Sequence, residues 1–251
     1  MFVFCSSSPI FASDDSDSEQ IDEVLYGDAV EITDRKENFL KIITDYGYIG
    51  WINENAVCDF ESEPTDCITA PFADLLKTER YFYPPVLTLP FGAKVEIISE
   101  GARFAACKTP MGEFYINKNL ISPIENKRSG SELRKSVSET AKAFLGVQYR
   151  WGGRTMAGID CSGLCFNAYR FNGINIWRDA DITASPNIKR IDHKNAMLGD
   201  LMFFKGHIAM YLGDGRIIHS SASAGRVVIE NFENNNYLKE IYICTGTVFN
   251  E

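Results

Sequence analysis

Positive charge is in short supply along this chain: 25 lysines and arginines stand against 34 aspartates and glutamates in 251 residues, a net −9. That balance offers no cationic stripe for phosphates, so nucleic acid is not an expected partner. Long apolar runs are missing too. No stretch reaches the roughly 20 apolar residues that cross a bilayer. The opening MFVFCSSSPIFAS is broken by serines and a proline and lacks the basic start of a secretory leader. A soluble cytoplasmic protein without membrane contact is the expectation. Ordered cysteine spacing is also absent: the seven cysteines, from Cys5 to Cys244, form neither a disulfide framework nor a paired zinc knuckle. They read as mostly buried thiols in a reducing compartment, and neither a metal nor a cofactor is expected. Histidine is scarce as well, with three in the chain.

What remains is ordinary core-forming material, 45% apolar and 24% charged. Three sections separate. Residues 1–63 carry short strand-like runs (VLYGDAVEIT, FLKIIT, YIGWIN) split by turn signals, the pattern of a small all-β unit. Residues 64–125 repeat the style, and Gly-x-x-Val-Glu-Ile recurs at 27–32 and 92–97, which predicts a duplicated small barrel. The polar linker Glu125–Ser131 opens the third section, 126–251. There a helix is predicted over 132–145, with Leu133, Val137, Ala141 and Phe144 on one face, and a second helix from Asp160-Cys161 to about Asn172. Strands follow at 200–204, 207–212, 215–220, 226–230 and 241–248. Helices before strands within one section give an α+β class.

The chemistry concentrates in this section. Cys161 begins an apolar helix directly after a polar Asp160, an odd start for a buried face. A helix N-terminus or a nearby imidazolium lowers a thiol from its ordinary pKa of about 8.5 and makes it a nucleophile. Gly163 is expected to leave space for a substrate backbone. His207 opens the run HIAMYLG, where an imidazole can act as base, and His219 closes the run RIIHSS. A hairpin turning at Gly213-Asp214-Gly215 brings both histidines to one end of a sheet, so His219 is placed to orient His207. His193, in the charged stretch IDHKNA, reads as surface.

Tyr-x-Trp-Gly-Gly at 149–153, Asp-Cys-Ser-Gly-Leu at 160–164, Gly-Asp-Leu-Met-Phe-Phe at 199–204, then HIAMYLG and IIHSS together resemble the NlpC/P60 cysteine peptidases over roughly 140–248. The resemblance implies a papain-like α+β fold and cleavage of bacterial cell-wall peptides. It implies Cys161 as nucleophile, His207 as base and His219 as third polar residue. Tyr149 would lie beside the thiol and share oxyanion binding with the Cys161 N–H. The first two sections resemble bacterial SH3 domains. That combination is similar to the cytoplasmic γ-D-glutamyl-L-diamino-acid endopeptidases, which recycle murein fragments and need a free N-terminal L-alanine. From the subgroup, Asp179 would hold the substrate ammonium, Arg178 would orient it or meet a substrate carboxylate, and Asp160, Ser162, Trp151 and Tyr48 would contact substrate. Trp177 stands where the subgroup has proline, and Thr183-Ala184 occupy the region of its glutamine. Rival readings are a zinc site on Cys161, His207 and His219, a non-catalytic binder of cell-wall peptides, and a thiol amidase or acyltransferase on the same fold. The implied partner is a murein peptide, L-Ala-γ-D-Glu-diamino acid.

Overall fold

Gly27 and Gly92 open the two halves of the sequence repeat with φ of 85° and 86°, a left-handed turn that glycine adopts without steric cost. Space demands glycine at the first as well, since a Cβ on Gly27 would stand 2.2 Å from the Lys94 carbonyl oxygen. These positions belong to a computed structural model that describes residues 1–124 and 128–249. The chain divides into two compact units, Met1–Glu125 and Asn126–Glu251. The expected boundary at 125/126 lies outside the described residues.

In the first unit each of these turns feeds a strand, Val30–Lys36 or Lys94–Glu100, bulged at Ile32/Asp34 or at Ile97/Ser99. Each repeat then reaches a strand, Ile49–Asn53 or Gly112–Asn117, whose last asparagine caps a one-turn 3-10 helix by accepting the N–H two residues on, at 2.9 and 3.0 Å. The two stretches thus share a glycine turn, a bulged strand and an asparagine cap. Two five-stranded antiparallel sheets result. One runs in the order 20–25, 7–11, 49–53, 39–44, 30–36; the other runs 112–117, 104–109, 94–100, 66–68, 121–123. A separate hairpin joins Phe72–Leu75 to Leu87–Pro90. The sheets stay open where the sequence suggested closed barrels. In the first, Gln20–Leu25 and Val30–Lys36 are the edge strands; the latter bonds Met1 through Val30 and beyond that carries exposed charges that suit an edge. The opening residues, read only as a failed leader, are strands Phe2–Val3 and Ser7–Phe11, with Val3 and Ile10 fully buried.

In the second unit, helices α1 (Gly130–Lys142) and α2 (Cys161–Arg170) precede a six-stranded antiparallel sheet. Its strands are β1 (Lys189–Ile191), β2 (Leu201–Phe204), β3 (His207–Gly213), β4 (Arg216–Ser221), β5 (Arg226–Asn231) and β6 (Tyr242–Thr247), ordered β1-β6-β2-β3-β4-β5. A short helix α3 (Asn236–Glu240) lies between β5 and β6. On α1, Val137 and Ala141 are buried as the periodicity predicts, and Phe144 is buried just past its end. Leu133 is only half-buried, and its neighbour Arg134 goes inside. The Arg134 guanidinium meets Asp200 at 2.9 Å and the Leu198 carbonyl at 3.0 Å, while Tyr169 of α2 donates to the Gly199 carbonyl. The Gly199-Asp200 motif therefore fastens both helices to the start of β2. Strand β1 was not anticipated, nor was the small hairpin of Arg154–Thr155 with Gly158–Ile159 that leads into α2. His193 is not a surface residue. It is half-buried, with its ring 5.4 Å from Phe232 and 5.8 Å from Tyr211, and its Nδ1 lies 3.2 Å from Thr245 Oγ1.

Candidate active site

Asp160 stands at the N-cap of α2, and its two carboxylate oxygens organise the helix start. Oδ1 accepts the Gly163 N–H at 2.5 Å and Oδ2 accepts the Gly152 N–H at 2.8 Å. Arg178 forks onto the same carboxylate at 3.1 and 3.0 Å and donates to Ser162 Oγ at 2.8 Å. Of the two roles expected of Arg178, meeting a substrate carboxylate is closed to it. It is 1% exposed, so no face of the guanidinium remains for a substrate carboxylate; it locks the loop 152–160 to the helix. Gly163 differs as well. A Cβ there would come within 2.4 Å of the Gly153 carbonyl oxygen, so the space expected for substrate is filled by the chain itself.

Cys161 is thereby held as the first residue of α2, 8% exposed. The backbone amides of Ile208 and Ser162 lie near enough to its sulfur to favour the thiolate. The Ile208 contact places the thiol beside the start of β3, where His207 stands. Burial pushes the thiol up to about 11, Asp160 adds to the rise, and the Ile208 amide and Arg178 oppose it. The expected lowering by the helix N-terminus is outweighed, because desolvation penalises the thiolate and the capping carboxylate sits next to it.

A turn of only two residues, Lys205-Gly206, joins Phe204 to its partner His207 across β2 and β3. The next turn, Asp214-Gly215, takes positive φ at both positions (53° and 70°) and returns the chain as β4. Met210 faces Ile218, so the antiparallel register sets His207 on the diagonal of His219. His207 Nε2 and His219 Nδ1 are 2.7 Å apart. Burial, aided by the neighbouring His219, lowers His207 to about 3; burial lowers His219 as well, opposed by Glu230. At neutral pH thiol and imidazoles are all uncharged.

Glu230 escaped the sequence reading. His219 faces Val228 across β4 and β5, so Glu230 occupies the same diagonal relation to His219 that His219 has to His207. Its Oε1 lies 2.7 Å from His219 Nε2, off the axis of the ring N–H, and Asn235 donates to both carboxylate oxygens at 3.2 and 3.1 Å. The signal was available in the register of RIIHSS against RVVIEN.

These groups share a cleft of about 690 Å³ lined by Tyr149, Trp151, Cys161, His207, His219 and Glu230, among others. Tyr149 is anchored by its N–H to the Gly225 carbonyl at 2.8 Å. Its hydroxyl is raised to about 12, chiefly by burial and then by the nearby Cys161 and Asp160. Trp151 is largely exposed on the cleft wall. Ser162 and Asp160 are buried in the Arg178 network behind it. Asp179 is half-buried one residue past Arg178, and its carbonyl accepts the Asp181 N–H at 2.8 Å. Tyr48 belongs to the first unit, where it is buried and its N–H bonds Thr44 Oγ1 at 2.9 Å. Among the described residues no group of three or more His, Cys, Asp or Glu is arranged to hold a metal ion.

Residues 146–246 match the NlpC/P60 family and residues 9–57 match the bacterial SH3 domain. The chain is 32% identical over 252 residues to dipeptidyl-peptidase 6 of Lysinibacillus sphaericus, across 94% of this chain and 93% of that protein. It is 28% identical to a gamma-D-glutamyl-L-lysine dipeptidyl-peptidase of Bacillus cereus, across 87% of this chain and 72% of that one. The crystal structure of an NlpC/P60 family protein from Bacillus cereus superposes with a TM-score of 0.85 at 24% identity, over 99% of both chains.

Proposed function

Since this chain belongs to the NlpC/P60 family, with a bacterial SH3 domain ahead of the peptidase domain, we propose that it is a cysteine endopeptidase cutting the γ-D-glutamyl–L-diamino-acid bond of murein stem peptides that carry a free N-terminal L-Ala. The observation that carries the reading is the convergence on one cleft of the Cys161 thiol with the His207–His219 pair. His207 takes the thiol proton as the sulfur attacks the scissile carbonyl, and the neutral pair passes directly to imidazolium and a sulfur-bound tetrahedral oxyanion. The Cys161 N–H lies in the first turn of α2, where no preceding carbonyl of the helix claims it, so it faces the developing oxyanion with the Tyr149 hydroxyl. The imidazolium returns its proton to the leaving amine, and water then hydrolyses the thioester.

The bond is assigned from relatives named for γ-D-glutamyl-L-lysine. Asp179 is the proposed partner of the substrate ammonium, since the Arg178 fork fixes the backbone next to it against the start of the nucleophile helix. A free amine requirement spares intact wall peptides, whose N-termini are blocked, and suits an enzyme acting in the cytoplasm on recycled fragments. We also read 64–125 as a second SH3-like unit, on the repeated turn, bulge and asparagine cap.

The test is incubation with tripeptide and tetrapeptide stems, with and without an N-terminal muramyl group, and identification of products by mass. Release of L-Ala-D-Glu from the free peptides alone is expected. Equal cutting of the blocked peptides, or cutting at another bond, would defeat the assignment.

A further inference from the structure

Three of the four ring nitrogens in the histidine pair have a polar atom at 2.7 Å, the Glu230 oxygen lying off the axis of the His219 Nε2–H bond. His207 Nε2 is engaged with His219 Nδ1 at 2.7 Å, which leaves Nδ1 of His207 as the nitrogen available to the thiol. A base needs a lone pair there, so the single proton of neutral His207 must sit on Nε2 and be donated to His219. His219 Nδ1 must then accept, and its own proton must sit on Nε2. His219 is 3% exposed, so water does not decide this. The atom beside Nε2 is Glu230 Oε1, 2.7 Å away. An ionised carboxylate only accepts hydrogen bonds. Were the proton on Nδ1 of His219, a ring lone pair would face a carboxylate oxygen inside a buried site, and His207 would turn an N–H toward the sulfur. The amide of Asn235, bonded to both oxygens of Glu230, keeps the carboxylate in place.

We propose that Glu230 is a positioning residue that fixes the direction of the histidine chain, holding His219 and His207 both in the Nε2–H tautomer so that His207 presents a lone pair to Cys161. The assignment rests on the reading of Cys161 and His207 as nucleophile and base, but not on which peptide is cut. Glu230 acts through His219 and touches no reacting atom in this scheme.

The chain has three histidines, so long-range proton–nitrogen correlation spectra of the 15N-histidine-labelled full-length protein, recorded without substrate, resolve each tautomer. His207 and His219 are expected as Nε2–H in the wild type. Glu230→Gln replaces an obligate acceptor by an amide that can also donate. His219 should then populate the Nδ1–H form, and kcat should fall about 10- to 100-fold, by analogy with the loss when the outer partner of a metal-bound histidine is removed, with KM unchanged. Glu230→Asp should restore the Nε2–H form and part of kcat. A wild-type His219 protonated on Nδ1 overturns the proposal, as does a Gln variant with unaltered tautomers and kcat. Should the Gln variant fail to fold, the wild-type spectrum decides alone. If no stem peptide is cleaved by the wild type, the substrate reading falls. The tautomer assignment is then judged by the spectra and by the rate at which iodoacetamide alkylates Cys161.

Discussion

At Cys161 two opposing fields meet. The helix start and Arg178 favour a thiolate; burial and the Asp160 carboxylate favour a thiol, and the second pair prevails, with the pKa raised to about 11. His207, lowered to about 3, does not supply a resting imidazolium. Thiol and base titrate as a unit, so the acid limb of kcat/KM should fall below the ordinary histidine value of about 6.5, and activity should persist into mildly acidic solution. A pH–rate profile with its acid limb at or above 6.5 would contradict this. Cys161→Ala should abolish turnover and His207→Ala should come close, whereas His219→Ala should leave more residual rate, measured on free stem peptides, because an orienter costs less than a nucleophile. Asp179→Ala should depress cleavage of free-amine peptides selectively. Equal losses on acetylated and free peptides would remove its proposed role.

The element that sets this geometry is the start of α2, held by a buried ion pair. Arg178→Met leaves Asp160 buried without its cation, and a loss of about 3–5 kcal/mol in denaturant unfolding is expected. Gly163→Ala forces a methyl to within 2.4 Å of the Gly153 carbonyl and should cost on the order of 1–3 kcal/mol while displacing Cys161. Helices α1 and α2 and five of the six strands of this sheet were legible in the sequence, because their apolar periodicity is strong and glycine turns separate them; the one-turn α3 was not. The positions of Cys161 and the two histidines were legible for the same reason, since hairpin register is local. Other features were hidden where a polar residue's fate depends on a distant partner. Arg134 is buried because Asp200 waits for it, and Arg178 is turned inward because Asp160 does the same. Glu230 needed the strand register to be followed across one more hairpin. Strand β1 is three residues long with two of them exposed, and carries no periodic signal.

For the molecule as a whole, the buried neutral histidines tie stability to pH. Unfolded, His207 takes a proton below about 6.5; folded, it resists until about 3. The unfolded state therefore binds more protons between those values, and stability falls as pH drops through that window. His207→Asn should flatten the slope of unfolding free energy in that range, and an unchanged slope would assign the acid sensitivity elsewhere. A nucleophile carried as S–H, walled in by α2 and the first residues of β3, also has a consequence for inhibition. Peroxide and small alkylating reagents react with the anion, so the resting protein offers them little to consume. Electrophiles that rely on a ready-made thiolate will be slow here, and compounds that fill the cleft and draw the proton onto His207 will be fast. The sulfur is armed by its guest.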